Sequence, residues 1–403
     1  MRKTPIAALV AAEIVSILGS RMTYLALPWF VLVTTGSVAK MTYVLAAEIL
    51  PMAIFGIPSG MLVERLGARR TMLLCDAARV PLLVALPLLH SAGLLRFPLL
   101  LALVFLLGCF MAPYFAAQRV ILPELVGEDE RTISQANSLI EGGTAFAALA
   151  GPALAGVLIP FMSAPNVLYV DAATYTVSFL LLSGFVPKAQ RAVGAVASGG
   201  VLAGIRFFVR DPLLAPMGAT VIVLNFVGSA ISATIPFHAF DVFESSRVAG
   251  LFYAAGGAGA LAGSLLAIAV VKRIAPLRMA GLGMVAATLP LWLLPLGLPA
   301  WGMAGALFSM MLFIPFVNGP VIGLITMRTP AELRPKVMTA LISVSTLAAP
   351  LGFLAAGQLL DAWASTKVFG AAAVGMTATA LVFATIALRH SDEPVSEPAT
   401  IAV

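Results

Sequence analysis

Long apolar runs, each closed by a short cluster of polar or charged residues, repeat along this chain from Ile6 to Leu388. Runs of spanning length fall at 6–33, 39–62, 70–90, 97–117, 133–161 and 165–186, then at 213–237, 248–271, 276–297, 299–326, 337–361 and 366–388. A helix needs about 20 apolar residues to cross a bilayer, so each run predicts one crossing, six on either side of a polar connector. Lipid cannot satisfy unpaired backbone groups, and the runs lack the alternation of barrel strands, so every crossing is predicted to be α-helical. The pattern therefore divides the chain into a first six-helix bundle (1–186), a connector (187–211), a second bundle (212–388) and a disordered polar tail (389–403). The connector contains Gly194, Gly199 and Gly200, then Val201–Arg210, where Leu202, Ile205, Phe208 and Val209 oppose Arg206 and Arg210 as in an interfacial amphipathic helix. Arg2 and Lys3 precede the first run as in a signal peptide, but the run to Val33 is too long for one, so it is expected to be an uncleaved crossing.

Composition agrees with a protein that stays in the bilayer. Hydrophobic residues make up 61% and charged residues only 10% of the chain, against about 25% charged in soluble domains. The net charge of +6 would suggest nucleic acid in a soluble protein, yet no basic stripe is interleaved with aromatics, which excludes that partner. With the N-terminus inside, 18 of the 24 Lys and Arg fall in cytoplasmic segments, and only Lys40, Arg96, Arg247 and Lys367 fall outside. The positive-inside rule then predicts a multi-pass protein of the plasma membrane with both termini cytoplasmic. Cys75 and Cys109 lie in apolar runs and are read as small core residues rather than a disulfide. His90, His238 and His390 have no metal-ligand spacing, so neither metal nor cofactor is expected. The sequence has no H-E-x-x-H and no G-x-S-x-G, and no enzyme is predicted.

The halves echo each other. Leu122-Pro123-Glu124-Leu125 opens a predicted connector leading to Ala150-Gly151-Pro152-Ala153-Leu154-Ala155-Gly156. Thr329-Pro330-Ala331-Glu332-Leu333 leads similarly to Pro350-Leu351-Gly352-Phe353-Leu354-Ala355-Ala356-Gly357. Copies with an even number of crossings share topology, so they are parallel repeats about an axis along the membrane normal. Gly60-Met61-Leu62-Val63-Glu64-Arg65-Leu66-Gly67-Ala68-Arg69-Arg70 is similar to the G-x-x-x-D-R-x-G-R-[KR] signature of the major facilitator superfamily, with Glu64 where Asp is usual. The stretch from Gly143 to Gly156 resembles the Gly-Pro signature of its antiporter branches, with Ala147 and Ala155 where Gly often stands. Ala26-Leu27-Pro28, Leu122–Leu125 and Ala136-Asn137-Ser138-Leu139 look most like the macrolide-efflux-like drug:proton antiporters.

That resemblance implies twelve transmembrane helices in two pseudo-twofold-related six-helix bundles, alternating access by a rocker switch, and proton-coupled efflux of lipophilic or amphipathic small molecules by a monomer in the lipid bilayer. Two rival readings are a metabolite or siderophore carrier of the same fold and a transport-dead sensor or scaffold. By the resemblance, Gly60, Glu64, Arg65, Gly67, Arg69 and Arg70 form a cytoplasmic latch; alternatively, the arginines are only topogenic. Gly60 and Gly67 are expected to permit a tight turn and close helix approach. Gly151, Pro152 and Gly156 are read as a hinge or seal, or else as close packing. The antiporters often use an Arg of the fourth crossing for proton coupling, whereas here that crossing has no charge before Arg119.

Charges at membrane depth cost at least ~2.5–3.5 kcal/mol and are functional candidates by default. The proton-coupling candidates are Glu13, Arg21, Glu48, Asp76, Arg79 and Glu141, all in the first half. At 1.5 Å per residue, Arg21 lies about 22 Å up from the inner face and Glu48 about 14 Å down from the outer one, which predicts an Arg21–Glu48 pair, either switching or static. Asp76 and Arg79, three apart, are expected to pair with each other. Glu13 and Glu141 have no evident local partner, while Asp171 and Asp361 are expected at the outer interface. By analogy with the superfamily, the substrate cavity is lined from Tyr24, Trp29, Phe110, Met111, Tyr114, Asn225, Phe226, Phe313, Phe316 and Asn318, whose aromatic and Met side chains suit varied apolar ligands.

Overall fold

The computed structural model describes residues 3–126, 130–187, 201–330 and 333–390. Arg2, the connector residues Lys188, Arg191, Gly194, Gly199 and Gly200, Ala331, Glu332, and the tail 391–403 lie outside the described residues. The helices are α1 (Lys3–Thr35), α2 (Val38–Leu66), α3 (Ala68–Ser91), α4 (Phe97–Cys109), α5 (Met111–Val126), α6 (Glu130–Met162), α7 (Ala164–Phe185), α8 (Val201–Arg210), α9 (Leu214–Asp241), α10 (Ser246–Val270), α11 (Pro276–Thr288), α12 (Ala300–Arg328), α13 (Arg334–Ala362) and α14 (Ser365–Arg389). Among the described residues there are 12 helical segments long and apolar enough to span a membrane, as the hydropathy pattern predicts.

Two crossings are composite. In the fourth, α4 and α5 meet at Phe110, whose N–H turns back to Leu107 O (3.2 Å). The break follows Gly108, where a Cβ would run into the backbone carbonyl of Glu48, so α4 lies tight against α2. Helix then continues to Val126, beyond the predicted end at 117. Leu122-Pro123-Glu124-Leu125 therefore belongs to the last turns of α5 rather than to a connector, and Ile121 and Leu122 are buried. In the ninth crossing α11 gives way to a 3₁₀ segment, Leu289–Leu296, where Pro290 and Pro295 each remove a backbone donor.

Contacts divide the chain into two compact units, residues 1–196 with 235–254, and residues 197–234 with 255–403. In the first, α1 packs on α2, α6 and α7, and α3 packs on α7. Leu9, Ala12, Met72, Ala117, Ile121 and Leu182 form part of its apolar core. The end of α9 and the start of α10 also pack here. Gly156 of α6 crosses Gly250 of α10 so closely that a Cβ on either would press on the other's backbone. Ser246 Oγ donates to Gly156 O across this crossing (3.2 Å). Small residues at such crossings let helices approach within van der Waals contact, the main attraction between helices in lipid.

In the second unit α8 packs on α13. Its apolar face is only partly as predicted: Phe207 is buried and the Phe208 ring fills the space over Gly218, while Val209 is 66% exposed. Gly259 and Gly263 of α10 face the carbonyls of Phe308 and Leu312 in α12, the close contact their G-x-x-x-G spacing allows. Asp211 fastens α8 to α9. Its Oδ1 accepts the N–H groups of Leu213 (2.8 Å) and Leu214 (2.9 Å) and lies 3.6 Å from Arg328 Nη1. Asp211→Ala removes this cap, worth about 1 kcal/mol. A lower melting temperature of the detergent-solubilised protein, with the membrane level unchanged, is the expected result.

Candidate functional site

Three helices of the first unit carry polar stripes at helical spacing. Glu13, Ser16, Ser20 and Thr23 lie along α1, Asp171, Thr174, Tyr175 and Ser178 along α7, and Asp76 with Arg79 on α3. Steps of three and four keep each set on one face, and these faces meet. Ser20 Oγ and Tyr175 Oη are 2.8 Å apart, Thr23 Oγ1 donates to Asp171 Oδ2 at 2.5 Å, and Ser178 Oγ donates to Asp76 Oδ2 at 2.7 Å. Gly19 makes the meeting possible, because a Cβ there would collide with Thr174 Oγ1 and Asp171 Oδ1. Gly19→Val should push α1 off α7 at a cost of about 1–3 kcal/mol, read as loss of thermal stability together with loss of transport.

Arg79 lies at the centre, only 4% exposed. Its guanidinium stands 5.0 Å from the ring centroids of both Tyr114 and Tyr175. A desolvated cation over an aromatic face gains about 2 kcal/mol, and here two faces share one cation. Glu13 and Asp76, both fully buried, lie within electrostatic reach of Arg79 and of each other. Among the described residues neither oxygen of Glu13 makes a well-formed hydrogen bond, although the Tyr114 side chain lies close to it, and Asp76 Oδ1 makes none either. Asp171, also buried, lies within electrostatic reach of Arg79 and Asp76 as well, so three carboxylates share one guanidinium and a proton on any of them lowers the excess of negative charge. Toward Glu48, a cavity of about 40 Å³ is lined by Ser20, Thr23, Glu48, Arg79 and Tyr175 among mostly apolar side chains, which is room for water with a few polar partners.

The sequence model of the Major Facilitator Superfamily matches residues 9–353. The chain belongs to this superfamily. Over 90% of its length this facilitator is 26% identical to 90% of the "Multidrug efflux pump Tap" of Mycolicibacterium fortuitum. It is 29% identical over 88% of its length to 86% of the "Uncharacterized MFS-type transporter YfiS" of Bacillus subtilis. Among solved structures, the nucleoside transporter NupG superposes with a TM-score of 0.78 over 96% of this chain and 99% of its own, at 14% identity. A bacterial homologue of the iron transporter ferroportin gives 0.73 over 98% and 100%, at 13% identity. These likenesses carry the major facilitator fold.

The facilitator's candidate charges are arranged differently from their expected pairs. Arg21 and Glu48 are within electrostatic reach but form no ion pair, and Glu48 Oε2 has no hydrogen-bond partner. The Arg21 side chain starts at the α1–α6 contact, where a Cβ on Gly151 would meet its Cβ. Asp76 and Arg79 are not a direct pair, since Asp76 accepts from Ser178 while the tyrosines sandwich Arg79. Glu13, expected to stand alone, joins them, whereas Glu141 is exposed on α6 and does not. Asp171, expected at the outer interface, is buried within the bundle, 1% exposed and held by Thr23 and Thr174. The i, i+3, i+4, i+7 spacing of the α7 stripe is the sequence signal that would have found it.

In the signature loop, Gly67 takes φ +82 to join α2 to α3 and receives the Thr71 N–H (3.1 Å). A Cβ at Gly60 would touch nothing within 4 Å, so no close helix approach depends on it here. Arg69 does structural work, donating through Nε to Val186 O (2.6 Å) and through Nη2 to Ser183 O (2.7 Å) at the end of α7. These bonds satisfy carbonyls that a helix C-terminus leaves unpaired. Glu64, Arg65 and Arg70 are exposed around this turn. Gly151 and Pro152 are buried in continuous helix, at a site of close packing.

The proposed cavity residues scatter. Tyr114 is 3% exposed against Arg79, and Phe110 packs on the apolar core. Met111 borders the small polar cavity, Tyr24 stacks edge-on to Tyr253 and Trp29 edge-on to Phe240. In the second unit Phe313 and Phe316 lean together at 5.9 Å, and Phe316 also abuts Gly283. Phe226 turns its carbonyl to Gly352, while Asn225 and Asn318 are exposed, Asn225 donating to Val221 O.

Proposed function

We propose that this facilitator is a proton-driven exporter of lipophilic or amphipathic small molecules. It works as a monomer in the plasma membrane, with both termini cytoplasmic, by alternating access between its two six-helix halves. Relatives named multidrug efflux pumps support the export of drug-like cargo. The proton reading rests chiefly on Glu13, fully buried, with no well-formed hydrogen bond among the described residues and only the Tyr114 side chain close by, beside Asp76 and Arg79. A proton reaching this group makes the cluster less negative, and its departure reverses the change. Buried charge is costly in a low-dielectric interior, so the two states favour different packing of α1 against α3 and α7. That difference is what an ion gradient must bias to drive a conformational cycle.

Dye efflux in everted vesicles tests this. A panel of fluorescent cations and neutral dyes should be accumulated when an acid-inside gradient is imposed, and a protonophore should abolish the uptake. Accumulation that ignores the protonophore removes protons from the mechanism, and a panel with no accumulated member removes the exporter reading.

A further inference from the structure

At the end of the first unit opposite the α2–α3 turn, the ends of α1, α3, α6, α7, α9 and α10 surround an open cavity of about 1100 Å³. Ligand pockets for drug-sized molecules span about 300–1,000 Å³, so the space admits one with water around it. One wall is aromatic. Trp29, 5% exposed, meets Phe240 at 5.6 Å and 82°, and Phe30 meets the His90 ring at 4.8 Å and 82°. Asp241, next in sequence to Phe240, and Glu244 also line it, both exposed. Among the described residues neither carboxylate forms an ion pair or a side-chain hydrogen bond. Glu244 is held at φ +48, a left-handed conformation that a non-glycine residue rarely adopts. The nearby cation, Arg247, sits over the Phe161 ring at 5.7 Å instead of neutralising them.

We propose that this vestibule is a second binding site, for an organic cation with an apolar body, separate from the buried polar cluster. The carboxylates attract the charge and the aromatic wall takes the hydrophobic part, because ring faces and edges next to a carboxylate suit a weakly hydrated cation. A neutral molecule of the same shape gains only the apolar contact. Identifying the ligand with exported cargo rests on the exporter reading and on the orientation that makes this the outer face. The site itself rests on neither.

Equilibrium binding of radiolabelled tetraphenylphosphonium to the purified full-length protein tests the assignment without transport. Asp241→Asn with Glu244→Gln removes the charge, and Thr34→Trp independently fills the space, since Thr34 is exposed at the cavity edge. Each is expected to weaken binding at least tenfold, and neutral triphenylphosphine oxide should compete poorly. Wild-type affinity in both variants, or equal competition by the neutral analogue, overturns the site. Intact binding with no efflux in vesicles would instead count against the exporter reading alone.

Discussion

Arg79→Met should leave little folded protein in the membrane. The substitution keeps an apolar stem but leaves Glu13 and Asp76 buried with no cation, and removes the partner of two tyrosine rings. Taking one member from a buried charged group costs about 3–5 kcal/mol, a large part of the stability of most domains. Arg79→Lys keeps the charge but cannot lay a flat guanidinium between two rings, so an intermediate loss is expected. Adding Glu13→Gln and Asp76→Asn to Arg79→Met removes two of the three stranded carboxylates, Asp171 remaining, and should restore folding in part, though not proton-driven efflux. Fluorescence-detected size-exclusion melting curves read all three. A wild-type melting temperature in Arg79→Met would mean that the guanidinium is not what holds this cluster together.

Glu13→Gln is expected to have the opposite profile. The amide is the same size and uncharged, so the first unit should fold, yet the group can no longer gain and lose a proton. Efflux driven by a pH gradient should fall to the level of de-energised vesicles, while downhill exchange of labelled for unlabelled cargo persists. Glu48→Gln is the necessary companion. Glu48 is the acid that depth along the helices favours, and it stands at the far end of the small polar cavity. If Glu13→Gln pumps normally and Glu48→Gln does not, the proton is carried at the outer end of the cavity and Glu13 is a structural acid.

The architecture could be read almost directly from the order of apolar runs, because bilayer thickness and backbone hydrogen bonding leave few alternatives. Where the reading failed, the missing information was three-dimensional. The end of α5 was placed early because Pro123 and Glu124 look like connector residues, yet they continue a helix whose neighbouring Ile121 and Leu122 are buried. Glu13 and Glu141 look alike in the sequence, each an acid with no local partner, because position along a helix gives no azimuth. Glu13 faces Asp76 and Arg79, whereas Glu141 is exposed on α6. Sequence separation suggested Asp76 with Arg79. The tyrosines that embrace Arg79 come from α5 and α7, and only the polar spacing on α7 hinted at the second of them. Arg69 is legible as a charge of the signature loop, but not as a clasp on the α7 carbonyls, because which orphan carbonyls lie within reach depends on tertiary packing.

The carboxylates buried in the crossings all lie in the first unit. Among the described residues the second keeps Asp361 at an exposed helix end and Asp211 in a turn, and none at mid-crossing. Under the proposed function, the acids that would take up the proton and the vestibule carboxylates Asp241 and Glu244 belong to the same compact unit. Mutations that alter what is expelled and mutations that alter how it is driven are therefore expected to fall within one packed body, where a change to either is felt by the other.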